Sequence, residues 1–167
     1  MPAASSTLTA KPTSFFSWSY RLYDGDREVA LLDHSAFLEQ ADIKIEGIPF
    51  RLDRDGLAGA FTLAFEGVVV AQATKRSVFS NVFDVMLGDL DPNDDRAPAA
   101  FVLQRASLSS NRFIVYSATG DAIGSIRRTS VWTRKARVDL PATIPLGVRV
   151  FLFWLAVLMW RRSNRGS

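Results

Sequence analysis

Pro145-Leu-Gly-Val-Arg-Val-Phe-Leu-Phe-Trp-Leu-Ala-Val-Leu-Met-Trp160 decides how this chain folds. The segment is apolar on every side, and it follows a long stretch that reads as short β-strands. A helix that is hydrophobic all round is buried, either in lipid or within protein. Pro145 suits a first helical turn, with Thr143 or Ile144 as cap, and predicts a helix over about 145–161. Arg161, Arg162 and Arg165 place cations at the negative end of its dipole, with Gly166 beyond. Arg149 limits the uninterrupted apolar run to Val150–Trp160. That is shorter than the roughly 20 residues a span requires, and from Pro145 to Trp160 the helix reaches only about 24 Å. A core helix is therefore the first reading. The alternative is a C-terminal tail anchor beside a separate β domain, with Arg149 snorkelling, Trp154 and Trp160 at the interfaces and the arginines as a positive-inside tail. Burying about ten large apolar side chains would contribute on the order of 15–30 kcal/mol gross, enough to organise a domain around one element.

A chain of 167 residues suits one domain. Residues 1–14 are rich in Ala, Ser, Thr and Pro and read as a disordered tail. They have neither the charged n-region nor the apolar h-region of a secretory signal. The domain then spans 15–162, and 163–167 is a short tail. Cysteine is absent, which excludes disulfides, thiolate metal sites and a cysteine nucleophile, and fits a cytoplasmic protein. From Gly120 onward nine basic residues face only Asp121 and Asp139, so this part carries +7 of a net +3, and the remainder carries −4. Such asymmetry points to an anionic partner, set against an ordinary solvated surface.

Between Phe15 and Leu140 the signals are those of strands and tight turns. Phe61-Thr-Leu-Ala-Phe65 alternates with period two before Glu66-Gly67. Phe113–Tyr116 precedes Thr119-Gly120-Asp121, and Tyr20–Tyr23 precedes Asp24-Gly25-Asp26. Gly67, Ala71, Lys75, Ser77, Val78 and Phe79 match Gly120, Gly124, Arg128, Ser130, Val131 and Trp132 at a constant offset of 53. Gly25, Ser35 and Phe37 match Gly67, Ser77 and Phe79 at an offset of 42. Each unit reads as strand, glycine turn, strand, serine bend and a strand opened by an aromatic. Three units of about four strands give roughly twelve, the last unit trading its final strand for the helix. A barrel this wide needs a filler, and the chain supplies one apolar helix. The expected fold is mainly β: a closed, roughly twelve-stranded barrel enclosing a hydrophobic C-terminal helix.

This layout, with the run Gly120-Asp-Ala-Ile-Gly-Ser-Ile-Arg-Arg-Thr-Ser-Val-Trp132 before a buried-looking helix, resembles the Tubby C-terminal-like superfamily. That superfamily includes the LURP-one-related proteins and the phospholipid scramblases. The resemblance covers about Phe15 to Arg162. It implies a twelve-stranded barrel threaded by its C-terminal helix, and binding rather than catalysis: phosphoinositide head groups for Tubby domains, membranes and calcium for scramblases. No head-group site transfers residue by residue.

The candidate anion-binding residues are Lys75, Arg76, Arg127, Arg128, Arg134 and Arg137. The pairs Lys75-Arg76 and Arg127-Arg128 meet in the repeat at Lys75 and Arg128, a region where the first unit has Asp33-His34. Phosphate recognition by such residues would use charge and bidentate bonding. Strand alternation would set Lys135 on the face opposite Arg134, so not all can converge. Asp91-Pro-Asn93-Asp-Asp95 looks like the start of a calcium loop but has Arg96 where a glycine and Val102 where a glutamate belong, and reads as a polar connection. His34, the sole histidine, reads as a turn or surface residue, with no nucleophile elbow to accompany it. Asp24, Asp26, Asp53 and Asp55 sit in turn contexts that explain them. Aromatic residues near basic ones could stack nucleic-acid bases, but Phe15, Phe16, Trp18, Tyr20 and Tyr23 read as inner-face residues, and Phe79 and Trp132 as barrel core against the helix. The sequence thus predicts a non-enzymatic binding or regulatory protein without metal or cofactor, peripheral to the membrane through anionic phospholipid and unsuited to nucleic acid.

Overall fold

The computed structural model describes residues 4–55, 59–88 and 99–166. Twelve antiparallel strands form one closed barrel: β1 (Ser5–Pro12), β2 (Tyr20–Asp24), β3 (Arg27–His34), β4 (Ala41–Ile45), β5 (Ile48–Arg54), β6 (Phe61–Phe65), β7 (Val68–Lys75), β8 (Val82–Leu87), β9 (Phe101–Arg105), β10 (Arg112–Ser117), β11 (Ala122–Arg128) and β12 (Ala136–Pro141). Each strand pairs with its neighbours in sequence, and β1 closes the ring against β12. The helix α1 (Leu146–Arg165) runs through the middle. From Val150 to Trp160 every residue is buried, so the helix lies inside the sheet and the tail-anchor alternative falls. Among the described residues, no helix is long and apolar enough to cross a membrane.

The inner wall leaves room for this filler. Ala10, Ala30, Ala41, Ala71, Ala73 and Ala136 are all buried and alternate with larger side chains on the inward face. The helix's bulk fills what they leave. Trp154 meets Phe61 edge-on at 5.7 Å, Trp160 meets Phe113 at 6.2 Å, and Phe153 meets Tyr20 at 5.1 Å.

The threefold repeat is visible in the ladders. Each unit opens with a hairpin carrying a register shift at one place: Leu22/Tyr23, Leu63/Ala64 and Val115/Tyr116. The pairs Leu22–Ala30 and Leu63–Ala71 are equivalent and stand 41 residues apart, one less than the sequence match suggests. Left-handed backbone agrees: Gly25 (φ 59°) corresponds to Glu66 (φ 50°), not to Gly67. The second unit carries one more residue, Arg76, between the end of β7 and Ser77, which restores the offset of 42 at Ser35 and Phe37.

Two boundaries differ from expectation. Ser5–Pro12 is not a disordered tail but β1, which supplies the fourth strand that the last unit gives up for the helix. Its period-two burial is real, with Leu8 and Ala10 fully inward, and Thr7 Oγ1 donates to Asp139 Oδ1 at 2.6 Å. Small hydroxyl residues hid this strand from a reading based on bulk. The helix starts at Leu146, with Pro145 in the cap position and no side-chain cap, and continues past 161 to Arg165.

Candidate functional site: the rim at the helix C-terminus

In a closed antiparallel meander, connections alternate between the two ends. The β1–β2, β3–β4, β5–β6, β7–β8, β9–β10 and β11–β12 connections therefore share one end, and the helix C-terminus emerges there. Arg161 donates to the carbonyls of Ser35, Ala36 and Leu38, and Arg105 to Ser163 Oγ at 3.3 Å. We call this end the rim. The other end carries acidic turns, with Asp24, Asp26, Glu46, Glu66 and Asp121.

Three basic side chains occupy equivalent places on the rim. His34, Lys75 and Arg128 are each the last inward position of the second strand of a unit, two residues beyond Leu32, Ala73 and Ile126. Inward register at a strand end places them around the exit of α1. Lys75 Nζ donates to Val78 O at 3.4 Å and lies 5.9 Å from the Phe83 ring. Arg128 donates to Val131 O at 3.2 Å and lies over Trp160 at 6.0 Å. Burial lowers the pKa of both, and for Lys75 the charge of Arg162 adds to it.

His34 is not a surface residue. It is buried, with Trp154 Nε1–H 3.2 Å from Nδ1 and the Arg161 guanidinium 2.5 Å from Nε2. A neutral imidazole accepts from one of these donors, and an imidazolium would oppose both with N–H groups. Burial, with Arg161 next to it, holds the ring's pKa down at about 4.

A cleft of about 290 Å3 opens beside Lys75, lined by Arg54, Phe61, Thr74, Ser77 and Arg162. Here Glu39 takes a bidentate pair of bonds from Arg162, at 2.7 and 2.8 Å, and one from Arg54 at 2.8 Å. Burial alone would raise the Glu39 carboxyl, but these bonds hold it below the usual range. Three cations thus surround one carboxylate, leaving the cleft electropositive.

The six sequence candidates divide. Lys75, Arg128 and Arg134 belong to the rim. Arg134 adopts a left-handed backbone (φ 53°) that lays its guanidinium over Trp18 at 4.9 Å, while bonding the carbonyls of Ser14 and Phe15. Arg127 and Arg137 instead pair across strands on the outer wall, where Arg137 bonds Asp139 at 2.9 Å. Arg76 is exposed and held bidentately by Asp84. Asp24 and Asp26 lie at the end opposite Asp53 and Asp55, so they form no joint carboxylate site. Asp91–Asp95 lies outside the described residues.

Phe79 and Trp132 are not barrel core. They stand at loop tips, 96% and 87% exposed, because the helix already fills the interior and Phe83 takes the inward place at the start of β8. The same holds around the rim: Phe15 and Phe16 in the β1–β2 loop, Phe37 and Leu38 in β3–β4, Val78 beside Phe79, Leu108 in β9–β10 and Val131 beside Trp132 are all exposed. Trp18 and Tyr20, by contrast, turn inward. The sequence reading did not single out Arg54 or this apolar ring, and it took Arg161 and Arg162 only as cations at the helix end. The available signal was an apolar residue after serine in alternate connections, such as Ser77-Val-Phe79, Ser107-Leu108 and Ser130-Val-Trp132.

No protein-family model matches the chain, and no curated protein does. The X-ray structure of a protein from Arabidopsis thaliana, AT5G01750, is similar to it, with a TM-score of 0.61 at 12% identity over 97% of this chain and 94% of that one. That likeness speaks to the fold.

Proposed function

We propose that the chain is a non-enzymatic, Tubby-like binding protein of the LURP-one-related kind, and that its rim cleft holds the phosphate of an anionic phospholipid head group. The observation that carries this reading is the convergence of Arg54, Lys75 and Arg162 on one cleft, with the Glu39 carboxylate between the two arginines. An added phosphate would set an anion against Lys75 and offset the lowering of its pKa by burial, while Arg54, which gives Glu39 a bond from Nη1, keeps further guanidinium donors suited to phosphate oxygens. The negative end of α1 does not oppose this, because Arg161, Arg162 and Arg165 crown it. Binding rather than catalysis is favoured by His34, the sole histidine, whose two ring nitrogens are both faced by donors. A peripheral, cytoplasmic place at a membrane follows from the same reading.

The test is calorimetric titration with inositol trisphosphate. Lys75→Gln combined with Arg54→Gln should weaken binding by roughly a hundredfold, since each charge-assisted bond is worth about 1.5–3 kcal/mol. Arg127→Gln with Arg137→Gln, on the outer wall, should leave it unchanged. Equal loss in both pairs would show only diffuse charge attraction and overturn the cleft.

A further inference from the structure

We infer that the whole rim seats face-on against an anionic lipid surface, its apolar loop tips entering the acyl boundary while the cations behind them meet the phosphate layer. This rests on the head-group reading above and extends it from a cleft to a docking face. Isolated apolar side chains on a surface are ordinary, but tips gathered on one face mark an interaction site. Here they stand on five different loops, all at one end, with Phe37, Phe79 and Trp132 about nine-tenths exposed. Among the described residues, exposed large side chains at the opposite end are fewer and smaller, namely Ile48, Val68 and Leu87.

Charge identifies the occupant. Lys75, Arg128, Arg134, Arg161, Arg162 and Arg165 stand behind or between the tips, whereas the far end is acidic, so the molecule is polarised along the helix axis. An anionic bilayer would orient such a body rim-first before any apolar contact formed. The tips are also braced by the same cations. Lys75 holds the Val78 carbonyl, Arg128 the Val131 carbonyl and Arg134 the Ser14 carbonyl, each next to an exposed apolar side chain. Lys75 and Arg128 thus fix cation and apolar tip within one connection, and Arg134 ties the β11–β12 connection to the tip of β1–β2. Interfacial binding has this composition: aromatic and aliphatic groups at the boundary, with basic groups at head-group level. A second copy of the chain would bring two arginine crowns together, which charge opposes. Nucleic acid would use flat rings for stacking, but Leu38, Val78, Leu108 and Val131 have none.

The experiment uses the full chain with phosphatidylcholine vesicles, with and without phosphatidylserine, in sedimentation. Brominated acyl chains serve as quenchers of Trp132, the most exposed tryptophan. The variant is Phe37→Ser, Phe79→Ser and Trp132→Ser together, at positions too exposed to disturb the fold, which its melting temperature checks. The reading expects binding only with phosphatidylserine, quenching of the emission that Trp132→Phe abolishes, and at least tenfold weaker partitioning of the variant. Inositol trisphosphate binding by the variant should stay at the wild-type level. Equal partitioning of variant and wild type, without quenching, would overturn insertion and leave the head-group cleft standing. Loss of inositol trisphosphate binding in wild type would remove the cleft instead. Concentration-dependent self-association abolished by the variant, or binding to single-stranded RNA in place of vesicles, would also overturn it.

Discussion

His34 makes the stability of this barrel depend on pH in a way that can be worked out from its surroundings. Its pKa falls from 6.5 to about 4 in the folded chain, through burial and the adjacent Arg161. Below the unfolded value of 6.5 the unfolded chain takes up a proton that the folded chain refuses, so unfolding gains on acidification. The contribution is fully present above pH 6.5 and is lost as the pH falls through 4. The total is about 3 kcal/mol, of which about 2.5 kcal/mol is gone by pH 4.5. The comparison is His34→Gln, whose amide oxygen can still accept from Arg161 but does not titrate. Urea unfolding of both proteins between pH 8 and 4.5 should show the wild type losing about 2.5 kcal/mol more than the variant. Asp139 and Glu39 also have lowered pKa values, Asp139 because bonds from Thr7 and Arg137 outweigh its burial, but they act equally in both proteins. Parallel curves for the two would refute the account of His34 as a buried neutral ring between two donors.

Gly124→Ala should destabilise by about 3 kcal/mol, at the upper end for overpacking, because its Cβ would lie 2.2 Å from the Asp139 carbonyl oxygen and 2.8 Å from Leu140 Cδ2. Thermal melts against wild type check this, and a neutral effect would mean that β11 and β12 can separate there. Deleting residues 1–12 removes β1 with its buried Leu8 and Ala10 and leaves β2 and β12 as open edges. Loss of a cooperative melt and of near-ultraviolet circular dichroism is expected, and an unchanged melt would show that the barrel closes without it.

The sequence carried the fold further than the site, for reasons that individual residues make plain. An all-round apolar helix has few fates, so Val150–Trp160 spoke directly for a core, and turn-forming Gly67 and Gly120 exposed the repeat. β1 was hidden because Thr7 and Thr9 face outward and its fully buried residues are only Leu8 and Ala10; nothing local separates that from a polar tail. Arg54 and Arg162 meet across a long sequence separation through Glu39, and no spacing rule foresees such a meeting. Phe79 and Trp132 misled because an aromatic beside strands is usually core. Their position one step beyond a serine bend, outside the inward period that continues at Phe83, decided otherwise.

The seam between β1 and β12 also has a consequence in time. The barrel's first strand in chain order is sealed by its last, and the filler follows after both. During synthesis the concave wall, lined by Tyr20, Leu32, Phe61 and Phe113, must wait uncovered until α1 has left the ribosome. Assembly of the barrel is thereby deferred until α1 has been made, and the large sequence distance at closure makes it slow. A stop codon that removed only the closing segment would release a hollow, adhesive shell instead of a shortened but working protein.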